Sequence, residues 1–178
     1  MSRTKKIVRN MCIIIILLIF IVTRSGLYFT PLSAYESSER GIHYGPSEVV
    51  HIENFKNGKY ILGKYDKWVS CNTVNKKWLF FWWAAGQPAG FENDKSKKVS
   101  YTWSSSYNEY NDFRAYGIVN DTDIKKIEVL LSNGEVLTQT EFYEDLFLLK
   151  WNSDEKENIY FKGIRGYDSN GNIVFEDE

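Results

Sequence analysis

The sequence predicts an all-β, antiparallel sandwich-like domain of about ten strands behind an N-terminal hydrophobic helix. Three observations lead there. The pair Asn-Gly occurs at Asn57-Gly58, Asn133-Gly134 and Asn170-Gly171, each time between runs rich in β-branched and aromatic residues. Asn-Gly accepts positive φ at both central positions of a type I′ turn, which makes it the strongest short-range hairpin signal. Period-two alternation recurs along the body, as at Ile127, Val129 and Leu131 against Glu128 and Leu130. Finally, residues 11–22 are an unbroken apolar run of 12, preceded by Arg3, Lys5, Lys6 and Arg9.

Taken in order, residues 1–34 read as an export address, either a cleaved signal peptide or a retained signal anchor. Both readings put the N-terminus inside and the rest outside. A 12-residue run rises only about 18 Å as a helix, against a bilayer core of about 30 Å. Cleavage near Ala34, after Leu32-Ser33, would release the chain. With Arg24 snorkelling, Leu27, Tyr28 and Phe29 could extend the segment to membrane-spanning length, and a retained anchor would give a single-pass protein at the cell membrane. Cys12 lacks the Leu-x-small context of a lipoprotein. Residues 35–47 are polar, with Gly41, Gly45 and Pro46, and read as a spacer.

Residues 48–178 form the expected extracytoplasmic β domain. The first hairpin joins 49–55 to 59–65, the second 124–131 to 135–140, and the third 159–168 to 172–176. Segments 146–151 and 78–83 are apolar on both faces, the pattern of strands buried on both sides. Further strands are expected at 67–74, 99–103 and 113–119.

Charge narrows the partners. Residues 1–34 hold five of the 22 basic residues and no acidic one, leaving 17 basic against 23 acidic, net −6. Nucleic acid and anionic lipid both demand clustered Lys and Arg, so a net-acidic domain is a poor candidate for either, and no nucleic-acid partner is expected. The pairs Lys76-Lys77, Lys97-Lys98 and Lys125-Lys126 suit protected strand edges. Cys71 is the one cysteine beyond the apolar run, so no internal disulfide is expected in the body, and a small, half-buried strand thiol is the favoured reading.

Chemistry-bearing patterns are sparse. No Gly-x-Ser-x-Gly, Ser-x-x-Lys, His-Glu-x-x-His or phosphate-cradling glycine loop occurs, and His43 and His51 are the only histidines. Neither a cofactor nor a metal site is expected, and no catalytic residue is assigned. Asp168-Ser169-Asn170-Gly171-Asn172 and Asp121-Thr122-Asp123 place oxygens at calcium-like spacing, but turn chemistry accounts for both. The loop Ser104-Ser105-Ser106-Tyr107-Asn108-Glu109-Tyr110-Asn111-Asp112 is the candidate binding surface. Its Tyr107 and Tyr110 can stack on a sugar ring while Glu109 and Asp112 hold the hydroxyls. Loop 84–98, with Phe91 and Glu92, adjoins it in the same reading.

The C-terminal half carries a resemblance. Gly117-Ile118-Val119-Asn120-Asp121, Ile124-Lys125-Lys126-Ile127-Glu128-Val129, the segment 146–151, and Lys162-Gly163-Ile164-Arg165-Gly166-Tyr167 leading into the last Asn-Gly turn together resemble uncharacterised small membrane-anchored or secreted β-rich proteins of Bacillus-like Gram-positive bacteria. The resemblance covers about residues 113–176. It implies a fold and a location and carries no catalytic residue across.

Three functions follow as expectations. The first is a non-enzymatic binding or interaction module at the cell surface, held by its N-terminal segment, with cell-wall glycan or another surface protein as partner. The second is a cell-wall-active hydrolase using paired carboxylates, drawn from Glu92, Glu109 and Asp112 and set roughly 5–9.5 Å apart. The third is an accessory or immunity-type membrane protein binding through a sheet edge.

Overall fold

The computed structural model describes residues 3–78, 80–86, 90–106, 112–153 and 158–178. Helix α1 (Arg3–Arg24) carries the apolar run. Helix α2 (Pro31–Gly41) starts where its sequence dictates. The Thr30 hydroxyl accepts from the Ser33 N–H at 3.1 Å, and Pro31 sits in the first turn, where its missing donor costs nothing. Twelve strands follow among the described residues: β1 (Glu48–Phe55), β2 (Gly58–Tyr65), β3 (Trp68–Lys77), β4 (Phe81–Ala84), β5 (Gly90–Glu92), β6 (Val99–Ser106), β7 (Asp112–Val119), β8 (Lys126–Leu131), β9 (Val136–Gln139), β10 (Leu146–Asn152), β11 (Phe161–Tyr167) and β12 (Ile173–Asp177).

These strands make three antiparallel sheets. The first has the order β1-β2-β3-β4, with β5 also paired to β3. The second is β10-β7-β6 and the third β12-β11-β8-β9. Side-chain alternation dictates how they stack. On β10, Leu146 and Leu148 join Tyr60, Leu62, Val69 and Cys71 of the first sheet, while Phe147, Leu149 and Trp151 join Ile127, Val129, Leu131 and Ile164 of the third. The second sheet is therefore the middle layer, apolar on both faces, as segment 146–151 predicts. Helix α2 adds a fourth layer, its Ala34 and Tyr35 packing on Ile61 and Val74 from the outer face of the first sheet. Burial of each such aliphatic or aromatic side chain contributes about 1.5–3 kcal/mol.

All three hairpins form where expected, though with different turns. At the second, Leu131 pairs with Glu135 around a three-residue loop, and Gly134 takes φ +87°. The third repeats this, with Gly171 at φ +84°. Both are the glycine-bulge form rather than type I′. At the first, Phe55 pairs directly with Gly58, so the loop is Lys56-Asn57 and Gly58 lies inside β2. A Cβ there would overlap the Val74 carbonyl oxygen and the Phe55 ring, so close approach demands glycine.

Four expectations are corrected. Helix α1 has basic residues in its first two turns and Arg24 in its last, so it is not apolar over its length. Among the described residues, no helix is long and apolar enough to cross a membrane. Extension through Leu27, Tyr28 and Phe29 does not occur. Arg24 folds back over the Phe20 ring at 5.4 Å, and Tyr28 instead pairs with Trp82. Residues 35–41 of the expected spacer belong to α2, with Tyr35 and Glu39 buried. The segment 78–83 is not a doubly buried strand, because β4 is an edge strand with no layer covering its outer aromatics.

Candidate functional site

Three places on the molecule concentrate chemistry, and the sequence pointed to one of them. Tyr107, Glu109 and Tyr110 of the expected binding loop lie outside the described residues. Ser104 belongs to β6, and Asp112 opens β7 as a buried residue rather than an exposed loop carboxylate. Alternation along β7 puts Asp112 and Arg114 on the face toward the first sheet. The Arg114 Nη2 donates to the Cys71 carbonyl at 3.1 Å, and its guanidinium lies 4.8 Å from the centre of the Tyr60 ring. Asn152, opposite Asp112 on β10, donates its amide to Asp112 Oδ1 at 2.9 Å in the amide orientation that satisfies both groups. This polar mouth opens into a cleft of about 450 Å³ lined by Phe55, Lys56, Tyr60, Asp112, Lys150 and Asn152.

The other candidate carboxylates lie elsewhere. Glu92 is on β5 and pairs with Lys67 at 2.7 Å. The segment after it bonds to Ser100 and Asn120, at the far end of the second sheet from Asp112. Along β6–β7, Ser106 faces Asp112 and Val99 faces Val119, seven residues away, about 23 Å at roughly 3.3 Å per residue. Glu92 and Asp112 thus cannot share one glycosidic bond. Glu144 and Asp145 are both held by Lys64. Asp121 accepts from Asp123 N at 3.0 Å and pairs with Lys98 at 3.1 Å, and these bonds hold its carboxyl below the usual range. Asp168 accepts from Asn170 N and Asn172 N at 2.8 Å, so its oxygens serve the turn. Among the described residues, no three of His, Cys, Asp and Glu gather as a metal site.

His51 stacks on Tyr143 with centroids 3.4 Å apart, and its Nε2 lies 3.2 Å from Glu53 Oε2. The Lys150 ammonium, 2.6 Å from the other Glu53 oxygen, is the main reason that carboxyl is held low. This is a clasp between β1 and β10. Cys71 is buried, and burial pushes its thiol up to about 11.

The second place lies beneath α2 and was read as spacer. Glu39 is 1% exposed, and its Oε2 accepts from Ser47 N at 3.0 Å. Around it stand the hydroxyls of Tyr35, Tyr44, Ser47 and Ser70, close enough to influence one another, though none closes a hydrogen bond of normal geometry with its neighbours. Burial pushes both tyrosines above the usual phenol range. The outer side of Glu39 faces a cleft of about 610 Å³ lined by Glu36, Arg40, His43, Tyr44, Gly45 and Pro46. The hydroxyls and the Glu39 carboxylate together make a polar chamber beneath α2.

The third place is the β3–β4 hairpin. Trp78 is 72% exposed, Phe80 56% and Trp83 41%. Phe81 sits among them, with centroids 4.7 Å from Phe80, 6.1 Å from Trp78 and 5.2 Å from Phe29, itself 67% exposed. Tyr28 and Trp82 exchange backbone hydrogen bonds at 2.8 and 2.7 Å, which fixes the chain leaving α1 onto this hairpin. Lys77 lies over the Trp83 ring at 5.4 Å and Lys59 over Trp82 at 5.9 Å. The five aromatics of segment 78–83 were legible, but the exposure of Trp78, Phe80 and Trp83 was not, and Leu79 lies outside the described residues. No family model matches this chain, and no curated protein or solved structure is significantly similar to it.

Proposed function

We propose that this protein is a membrane-attached, non-enzymatic β domain that works as a binding or interaction module on the outer side of the membrane. The observation that carries the reading is helix α1. Its apolar side chains from Ile7 to Ile21 are 48–65% exposed, and none packs into the β layers. Leaving such a continuous apolar surface in water costs on the order of 10 kcal/mol or more, so the helix calls for an apolar environment. The apolar run of α1 is shorter than a bilayer core, so reaching both faces requires the flanking Lys and Arg side chains to snorkel and the bilayer to thin around the helix; Arg3, Lys5, Lys6 and Arg9 then fit an N-terminus held on the cytoplasmic side.

Retention is favoured over cleavage near Ala34. Ala34 is fully buried inside α2, and Tyr28 and Phe29 are joined to β4, so a chain beginning at Tyr35 would lack part of its own packing. Of the three carboxylates the hydrolase reading draws on, Glu92 and Asp112 lie too far apart to act as a pair, and Glu109 lies outside the described residues.

Fractionation with N-terminal sequencing tests the reading. An intact chain in the membrane pellet, extracted by detergent and not by high salt, is the expected result. A product in the medium starting at Tyr35, or an intact chain free of membranes, overturns attachment.

A further inference from the structure

We propose that the aromatic hairpin between β3 and β4, together with Phe29, is a lipid-headgroup seat on which the folded domain rests. The inference rests on the attachment reading and adds to it an orientation and a contact surface.

Continuity is the first argument. Only Ser25, Gly26 and Leu27 separate the end of α1 from Tyr28, so Tyr28 lies within about 15 Å of the helix end whatever the path between them. Tyr28 is bonded to Trp82 and Phe29 is packed on Phe81. If α1 enters lipid, the hairpin is held at the membrane surface.

Composition is the second. Trp is the side chain best suited to the interfacial zone, with an apolar body and one N–H that still finds a partner there. Trp78 and Trp83 are both exposed here, beside Phe29 and Phe80. Trp78, directly after β3, adopts φ +58°, an uncommon conformation for a bulky residue.

Charge is the third argument, and it decides between lipid and a protein partner. The domain beyond residue 34 is net acidic, yet at this hairpin Lys77 lies over Trp83 and Lys59 over Trp82, with Lys76 next in sequence. Lysine is depleted in protein–protein interfaces, whereas flexible lysines flanking interfacial aromatics suit anionic headgroups. The sequence reading of Lys76-Lys77 as edge protection is compatible, since β4 is the edge strand they guard.

The test uses the full chain with Cys12→Ser, so that buried Cys71 is the only native thiol. Single cysteines are introduced at exposed positions, Phe80→Cys in the hairpin and Val136→Cys on the third sheet, and each is labelled with an environment-sensitive fluorophore. The proteins are reconstituted into vesicles of equal parts phosphatidylethanolamine and phosphatidylglycerol. The expected result is co-flotation of both. The label at position 80 should shift to the blue, be quenched by brominated lipid and be shielded from aqueous iodide, while the label at 136 stays accessible to iodide. If both proteins float but the label at 80 behaves like that at 136, the seat is overturned and attachment stands. If the label at 80 is shielded from iodide yet unquenched by brominated lipid, protein covers the hairpin and the seat is again overturned. Failure to float overturns the attachment reading itself.

Discussion

Arg114 shows how one side chain can hold two sheets together. It reaches from the middle sheet to a carbonyl of the first and covers the Tyr60 ring, and it is nearly inaccessible to water. Arg114→Met keeps much of the volume but leaves the Cys71 carbonyl without its donor. A loss of about 2–4 kcal/mol is expected in urea unfolding. An unchanged midpoint would mean that the bond contributes nothing net. Cys71 itself should be inert. Burial raises its thiol to about 11, so at neutral pH an aqueous thiol reagent should leave Cys71 unmodified until denaturant is added. Two fast-reacting thiols in the folded chain would contradict its burial. Glu53 gives the acid side of the stability profile. Its carboxyl is held below its usual value of 4.5, first by Lys150 and also by His51, against the opposing effect of burial. A depressed carboxyl stabilises the fold above its unfolded value, and that contribution is lost as pH falls from about 4.5 through the folded value. Glu53→Gln should therefore lower the urea midpoint at about pH 7 and make little difference at about pH 3. A deficit that persists in acid would trace to lost packing instead.

At the scale of elements, the turns and one strand explain what could be read in advance. Hairpins were legible because Asn-Gly acts locally: Gly134 and Gly171 take positive φ whatever lies around them. The turn at Gly58 was misread because its cause is not local. There glycine answers to the neighbouring strand β3, which sequence spacing does not reveal. The two glycine types should respond differently. Gly134→Ala, with nothing near the new methyl, should cost only about 1–2 kcal/mol of φ strain. Gly58→Ala must displace backbone or the Phe55 ring and should cost clearly more. Equal losses in thermal unfolding would refute the distinction. Segments 146–151 and 78–83 carried the same two-sided apolar pattern and met opposite fates. The first lies between two sheets and the second at an edge, and which of these occurs depends on strand order. Asp112 was chosen from the sequence for a loop, yet the strand reaches back to include it, so its carboxylate turns inward. The Glu39 chamber went unread because a polar, glycine-containing stretch gave no sign that α2 would cover it.

The whole molecule is a stack in which α2, the first sheet, the second and the third follow one another, with each apolar cluster bridging adjacent layers. Only the second sheet contributes to both of the larger clusters, through alternate residues of β7 and β10. No local opening can free β10 without disrupting both interfaces, so its exchange should require global unfolding. The outer strands differ. Strand β12 is an edge with Ile173 half exposed, and β4 is an edge with Trp83 exposed. Native-state hydrogen exchange should accordingly find the slowest amides at Ala115, Tyr116 and Phe147, with those of β4 and β12 exchanging far sooner. The middle-layer position also implies that Phe147→Ala, which opens a cavity between the second and third sheets, costs about 3–5 kcal/mol and lowers the protection of all three sheets together. Were the third sheet alone to lose protection, the layers would be separate cooperative units, and the single stack would be the wrong description of how this chain holds itself together.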